Sequence, residues 1–316
     1  MKKLLKDCLY IFFVVVVLFF MSDQPSFSNS LKFVQLSDIH FSTQRDDTSY
    51  KLLSKTKPLL DDAISQINAE KGVDFVMITG DGIDQADEVS INGLLEELKS
   101  LDYPWYYTIG NHDVNPKKEF NKSKINEILR LNNKNYKFDT TYYTFKPKRN
   151  FRVIVLDCAM NDKRGSNGVI SAEELSWLDN ILKNSKKDVI LIFTHFPVVE
   201  PFDAKNHEIL YKNELKAVLK KYKMPIAIFS GHYHMTKITK RGNVLHVSSP
   251  ALISYPNAFR IVDVQNKRHQ VIFKLDFHET NLKDLQAKTK ILAIGGARYY
   301  GKPTDRDAVI VIDKKK

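Results

Sequence analysis

Five short clusters in this chain pair acids or an amide with imidazoles: Asp38-Ile39-His40, Gly80-Asp81, Gly110-Asn111-His112-Asp113, Thr194-His195 and Gly231-His232-Tyr233-His234. Carboxylate, carboxamide and imidazole supply oxygen and nitrogen donors suited to Mn, Fe or Zn, and no thiolate takes part. Each cluster follows a short apolar run. In an open α/β sheet, residues far apart in sequence converge in the crevice beyond the carboxyl ends of the strands. Any one of His40, His195, His232 and His234 alone reads best as an ordinary core or surface histidine; their joint spacing makes them candidates for one site. Glycines before Asp81, Asn111 and His232 let the backbone turn sharply or approach a cation closely.

The elements that must position these residues alternate in type. Residues 32–36, 75–79, 105–109, 152–156, 189–194 and 226–230 read as strands, mostly apolar on both faces as buried sheet interiors require. Apolar residues recur at helical spacing over 50–69 and 89–101, and Ser171 with Glu174 predicts a capping box before Leu175, Trp177, Leu178 and Leu182. After His234 the segments 244–248, 259–264 and 270–275 alternate and predict antiparallel strands completing a second sheet, with one more strand over 308–312. The expected architecture is α/β, a layered sandwich with two sheets inside and helices outside. No internal repeat or low-complexity linker divides it, so 31–280 reads as one domain and 281–316 as an extension packed on it.

With 316 residues, 43% apolar and 27% charged, the chain buries a substantial core, which excludes a disordered chain. Its 48 Lys and Arg against 37 Asp and Glu give a charge of +11 and favour anionic partners. The lysines are spread along helices without interleaved aromatic residues, so no specific nucleic-acid partner is expected. Only Cys8 and Cys158 are present, and Cys8 falls in a leader, so the mature chain forms no internal disulfide. In that leader Lys2, Lys3 and Lys6 precede an apolar block over 9–21. As a helix the block reaches roughly 20 Å, short of the ~30 Å a spanning helix must match. It therefore reads as a signal peptide cleaved just before Leu31, with an uncleaved N-terminal membrane anchor as the alternative. Either way the body faces outward, as a secreted, periplasmic or membrane-anchored protein. Cys8 precedes the apolar block, which argues against a lipoprotein.

From residue 32 to about 249 the five ordered clusters resemble the calcineurin-like metallophosphoesterase superfamily, whose signature is Asp-x-His, Gly-Asp, Gly-Asn-His-Asp/Glu, a separate His, and Gly-His-x-His. The pattern is most similar to the bacterial cyclic-nucleotide phosphodiesterase (class III) branch, which also contains monoesterases and pyrophosphatases. The resemblance implies a four-layer α-β-β-α sandwich with two mixed β-sheets. It implies two transition-metal ions (Mn, Fe or Zn), one held by Asp38, His40, Asp81 and His234 and the other by Asp81, Asn111, His195 and His232, with Asp81 bridging. Two cations about 3.5–4 Å apart would generate a hydroxide that attacks phosphorus in line with the leaving oxygen. His112 would protonate or stabilise that oxygen, and Asp84 would orient His112. The implied substrate is a small anionic phosphoester, a diester or a nucleotide; the alternatives are a monoesterase or pyrophosphatase, a non-catalytic metal-binding scaffold, or a polyanion-binding surface protein.

Some positions depart from the wider family or stay open. Gln85 stands where the protein Ser/Thr phosphatases carry an Arg, which counts against a phosphoprotein substrate, and Phe196 replaces a second His beside His195. Asp113 reads equally as a helix cap or a functional acid. His207, with Asp203 and Glu208, lines either the mouth of the site or an ordinary loop. His246, His269 and His278 read as structural or solvated, and Cys158 as a buried apolar residue. Tyr103, Trp105, Tyr106 and Tyr107 read as core and rim, where one could stack on a base.

Overall fold

A computed structural model of the chain describes residues 29–43, 46–160 and 165–314. The leader expected over 1–30 lies outside the described residues except for Asn29 and Ser30. Among the described residues no helix is long and apolar enough to cross a membrane.

Two six-stranded sheets form the interior. The first runs β14 (Ala308–Asp313), β13 (Gln270–Glu279), β12 (Ala258–Asn266), β1 (Ser30–Leu36), β2 (Phe75–Thr79), β3 (Trp105–Thr108). The second runs β10 (Lys237–Arg241), β11 (Val244–Ser248), β9 (Ile226–Ser230), β7 (Val189–Phe193), β5 (Phe151–Val155), β4 (Tyr143–Phe145). Both are mixed: β1, β2 and β3 are parallel, as are β5, β7, β9 and β11, while the outer pairs are antiparallel. A short parallel pair, β6 (Gly168–Val169) and β8 (Ile209–Leu210), lies apart.

The strand expectations hold in place but not in partner. The alternating segments after His234 do not complete one sheet together. The segment over 244–248 joins the second sheet parallel to β9, whereas β12 and β13 extend the first sheet beside β1. Period-2 alternation says which face of a strand is buried, and it is silent about which neighbour supplies the hydrogen bonds.

That alternation explains the layers. In β7, Val189, Leu191 and Phe193 belong to the core between the sheets, while Ile190 and Ile192 belong to a second cluster that meets Leu178, Leu182, Leu215 and Leu219. Those leucines lie on α4 (Ala172–Lys183) and α5 (Lys212–Lys220). Helices α1 (Thr56–Ala69), α2 (Glu88–Leu98) and α3 (Lys122–Asn132) contribute their apolar faces to the larger core cluster, which also holds the residues of the first sheet. Between the sheets Phe33 of β1 meets Phe193 and Phe229 edge-on, at 5.3 and 5.0 Å between ring centroids. Buried Gln35 crosses the same gap, donating from Nε2 to the Ser230 carbonyl at 3.1 Å.

The capping box on α4 is half formed. Ser171 Oγ accepts from the Glu174 backbone N–H, but the Glu174 carboxyl turns away and accepts from Asp157 N–H at 2.8 Å. Helices α6 (Lys283–Leu292) and α7 (Pro303–Arg306) precede β14, which is hydrogen-bonded along β13.

Candidate metal centre

The candidate ligands come from both sheets. Asp38 and His40 follow β1, Asp81 and Asp84 follow β2, Asn111 and His112 follow β3, His195 follows β7, and His232 and His234 follow β9. The loops are tied backbone to backbone: Asp38 N–H donates to the Gly80 carbonyl at 3.1 Å, His40 N–H to Asp81 O at 2.8 Å, and Gly231 N–H to His195 O at 2.9 Å.

Five of the seven metal-ligand candidates, Asp38, His40, Asp81, His232 and His234, have φ between 47° and 71°. A non-glycine residue in that left-handed region costs roughly 1–3 kcal/mol and persists only where its surroundings hold it there. Two glycines make the approach possible. A Cβ on Gly110 would lie 2.3 Å from Asp81 Oδ1, and one on Gly231 would lie 2.0 Å from Ser37 Oγ and 2.5 Å from Asp38 Oδ2.

The side chains gather into two adjoining groups. Asp38, His40 and His234 bring donor atoms within 4.8 Å of one another, as do Asp81, His195 and His232. Asp81 Oδ2 stands between the groups, 3.6 Å from His40 Nε2 and 3.3 Å from His195 Nε2. His40 Nε2 faces His234 Nε2 at 3.3 Å, and His232 Nδ1 faces His195 Nε2 at 3.2 Å. Imidazole nitrogens turned toward each other at that distance suit a shared cation. Buried Asn111 Oδ1 has no hydrogen-bond partner, which is a costly state for a buried polar atom unless something else satisfies it. The donor set therefore fits metal ions.

The outward nitrogens are held from behind. The Thr79 carbonyl accepts from His195 Nδ1 at 2.9 Å, and Ser254 Oγ lies 2.7 Å from His234 Nδ1. Such contacts fix the tautomer and ring direction of a metal-binding histidine. A third group, His40, Asp84 and His112, also brings its donor atoms together. The Asp84 carboxylate there is engaged by the Lys51 ammonium at 2.7 Å, so a cation already occupies that corner.

Residues 31–236 match the family model described as calcineurin-like phosphoesterase. A probable glycerophosphodiester phosphodiesterase of Arcobacter nitrofigilis is 30% identical over 226 residues, 69% of this chain and 78% of the relative. The chain belongs to the calcineurin-like phosphoesterase family. Membership makes it a phosphoric ester hydrolase of a metal-dependent class. A 3',5'-cyclic-nucleotide phosphodiesterase of Nostoc sp. is 26% identical over 223 residues, 70% of this chain and 78% of that protein. In three dimensions a dimetal phosphatase from Danio rerio superposes with a TM-score of 0.63 at 18% identity, covering 90% of this chain and 99% of that one, which shows the shared fold.

In this phosphoesterase the electrostatics favour charged acids, which face a neutral His40 and His232 and a His195 that keeps its extra proton. Burial pushes the Asp38 carboxyl up, but His234 and His195 outweigh it and hold it at about 2. Burial likewise opposes ionisation of Asp81, and His195, His112 and His40 together bring it well below the ordinary carboxylate value. Burial and the Lys51 charge lower His40 to about 3, and burial with His195 lowers His232. For His195, burial is overcome by Asp81, which raises it to about 9.

His112 lies on the open side, with its Nδ1 2.8 Å from the backbone carbonyl of Asp84 and 3.7 Å from the Asp84 carboxylate. The Asp84 carboxylate itself lies nearer His40, at 3.2 Å from Nδ1. Asp84 thus touches His112 through its main chain and His40 through its side chain.

Two residues near the centre had no decisive signal in the sequence. Lys51 is buried against Asp84 and His40 Nδ1, the latter at 3.3 Å, and a lone lysine ahead of an amphipathic helix looks like any other. Asp113 caps no helix: its Oδ2 accepts from Asp81 N–H and Gly110 N–H at 2.9 and 2.7 Å, and its Oδ1 from Tyr107 Oη at 2.7 Å. Burial and the Asp81 charge raise Asp113 to about 7. Phe196 stacks obliquely on His232 at 4.5 Å, an apolar wall where a polar ligand would otherwise be. His207 also reaches the site, 5.5 Å from His232 between ring centroids. Tyr107 is buried structure, and Tyr103, Trp105 and Tyr106 lie in or against the core cluster away from the ligands.

Proposed function

We propose that this protein hydrolyses a small phosphodiester or nucleotide at a centre for two transition-metal ions, one set by Asp38, His40, Asp81 and His234 and one by Asp81, Asn111, His195 and His232. The observation that carries the reading is the position of Asp81 Oδ2, within 3.6 Å of His40 Nε2 and 3.3 Å of His195 Nε2, where one carboxylate borders both groups. When bound, two such cations supply Lewis-acid stabilisation to phosphoryl oxygens and acidify a water for attack. The chain's own part is to hold ionised Asp38 and Asp81 among the rings of His40, His195, His232 and His234, and to keep His112 at the open edge. Because the Asp84 carbonyl can only accept, His112 Nδ1 carries a hydrogen, and Nε2 is the atom that gains and loses the proton for the leaving oxygen. The names of the Arcobacter and Nostoc relatives, both phosphodiesterases, favour a diester.

Metal analysis tests the reading first: about two ions per chain are expected, and Asp81→Asn should lose both together. His112→Ala should cut diester hydrolysis by about 10²–10⁴ while leaving metal content near wild type. A panel of mono-, di- and cyclic phosphoesters with Mn, Fe and Zn identifies substrate and ion. Undiminished turnover in His112→Ala, or Asp81→Asn that loses a single ion, would overturn the assignment. Export through the leader is proposed alongside, on its basic start and short apolar core. Mass analysis of the secreted protein should give a chain beginning at Leu31.

A further inference from the structure

A cavity of ≈ 400 Å³ opens directly beside His232 and His234, a size ordinary for small-molecule sites. Besides the ligand loop, its walls come from four stretches: Ser49 and Tyr50, the loop carrying Phe202 and His207, Ser254 and Tyr255, and the segment from Leu292 to Tyr299. The last stretch lies beyond residue 236, outside the part of the chain that the family model matches. It is fastened to the metal-ligand loop, because Thr236 N–H, two residues after His234, donates to the Tyr299 carbonyl at 3.0 Å. Asp305 reinforces the junction, accepting from Ile238 N–H at 3.1 Å, and buried Arg260 holds the carbonyls of Asp305 and Arg306.

We propose that this cavity is a base-binding subsite in which Tyr50 and Tyr299 hold the flat nucleobase of a phosphoester, so that the segment around Tyr299 determines specificity. The inference rests on the phosphoesterase reading for the reacting end of the ligand. The wall chemistry is aromatic: Tyr50, Phe202, Tyr233, Tyr255 and Tyr299 line the cavity. Tyr50 is 45% exposed, with its ring 6.0 Å from that of His234, so a face is available next to the ligand group. Flat bases gain from such faces regardless of sequence, because every base has a π surface. A glycerol carrier would leave the rings wetted. A choline-like cation would meet Arg298 and Lys290, which already lie over Phe202 and Tyr255 at 5.2 and 6.0 Å. The same two cations complement an anionic nucleotide. With phosphorus at the ligand groups and a base in the cavity, adjacent parts of one nucleotide occupy adjacent parts of the protein.

Two measurements on the full chain test this. In the first, metal-loaded enzyme is given adenosine 5'-methylphosphate and glycerol 3-methylphosphate, which differ only in the carrier. The adenosine diester should be preferred in kcat/KM, and Tyr299→Ala and Tyr50→Ala should each lower that preference about tenfold through KM, with Tyr299→Phe retaining it. In the second, adenosine itself, which has no ester to cleave, is titrated calorimetrically; its affinity should fall about tenfold in the same alanine variants and persist in Tyr299→Phe. Adenosine binding that ignores both alanine changes, or equal preference for the two diesters in the wild type, overturns the subsite. Tyrosine-dependent adenosine binding in a protein that cleaves neither diester would keep the subsite and overturn the diester reading of the proposed function instead.

Discussion

Two groups of buried acids, one past the ends of β1 and β2 and the other where the end of β5 meets α4, behave in opposite ways. Asp38, Asp81 and Asp84 are buried among His40, His195, His234 and Lys51, and all three are held below the ordinary carboxylate value although burial opposes it. Glu174, equally buried, is raised well above its ordinary 4.5 by burial and then by the charge on Asp157, against one hydrogen bond from Asp157 N–H and the cation Lys122. Depth therefore does not decide charge. The imidazoles and Lys51 decide it at the metal centre, while around Glu174 a single lysine, 2.9 Å from Asp157 Oδ2, is shared between two acids. Backbone conformation divides the groups in the same way. The ligand loops hold Asp38, His40, Asp81, His232 and His234 at positive φ, whereas Ser171, ahead of Glu174, is an ordinary extended N-cap with φ −75°. Strain and charge concentrate where a ligand is to be received, and the second group joins α4 to the end of β5.

The largest test of this contrast removes the cation that accompanies Asp84. Lys51→Met takes away the ammonium 2.7 Å from a buried carboxylate, and breaking a buried pair from one side costs about 3–5 kcal/mol. Urea unfolding of the metal-free variant should show a loss of that size; a loss under about 1 kcal/mol would mean that the imidazoles alone sustain the charge. A smaller effect is expected from Gly110→Ala. Its new methyl would meet Asp81 Oδ1 at 2.3 Å and Asp81 N at 2.4 Å, so overpacking should cost about 1–3 kcal/mol. Because Asp81 borders both ligand groups, metal content should fall at both; a fully loaded variant of wild-type stability would show that the loop moves freely.

The ligands were readable because each follows an apolar run that could only be a buried strand. Asp38 and His40 after β1 and His232 and His234 after β9 meet because β1 and β9 face each other across one core, through Phe33 and Phe229. The partners behind the ligands were not readable. Lys51 reaches Asp84 across 33 positions, and Asp113 holds Asp81 through a backbone N–H, which has no sequence identity to recognise. The place of β12 and β13 in the first sheet was hidden for a related reason: hydrogen bonding between strands belongs to the backbone, and side-chain alternation carries no address. Glu174 misled differently. Its spacing from Ser171 fitted a reciprocal cap, but the nearby Asp157 N–H offered a buried donor that the carboxyl satisfies instead.

That diversion sets up the smallest and most specific test. A carboxyl whose value is raised on folding keeps its proton longer in the folded chain than in the unfolded one. Its contribution to stability is whole below pH 4.5 and is lost as pH rises through the folded value. Glu174→Gln removes the titration but keeps an oxygen that can accept from Asp157 N–H, and it leaves the Ser171 cap on residue 174's own N–H intact. The variant should match the wild type near pH 4.5 and become more stable than it as pH rises, each tenfold difference in proton affinity between the folded and unfolded chain being worth about 1.4 kcal/mol. Urea midpoints measured from pH 4.5 upward give the comparison directly. A variant less stable than the wild type at every pH would mean that Glu174 is ionised and paired with Lys122, and that the two groups of acids are held by the same means.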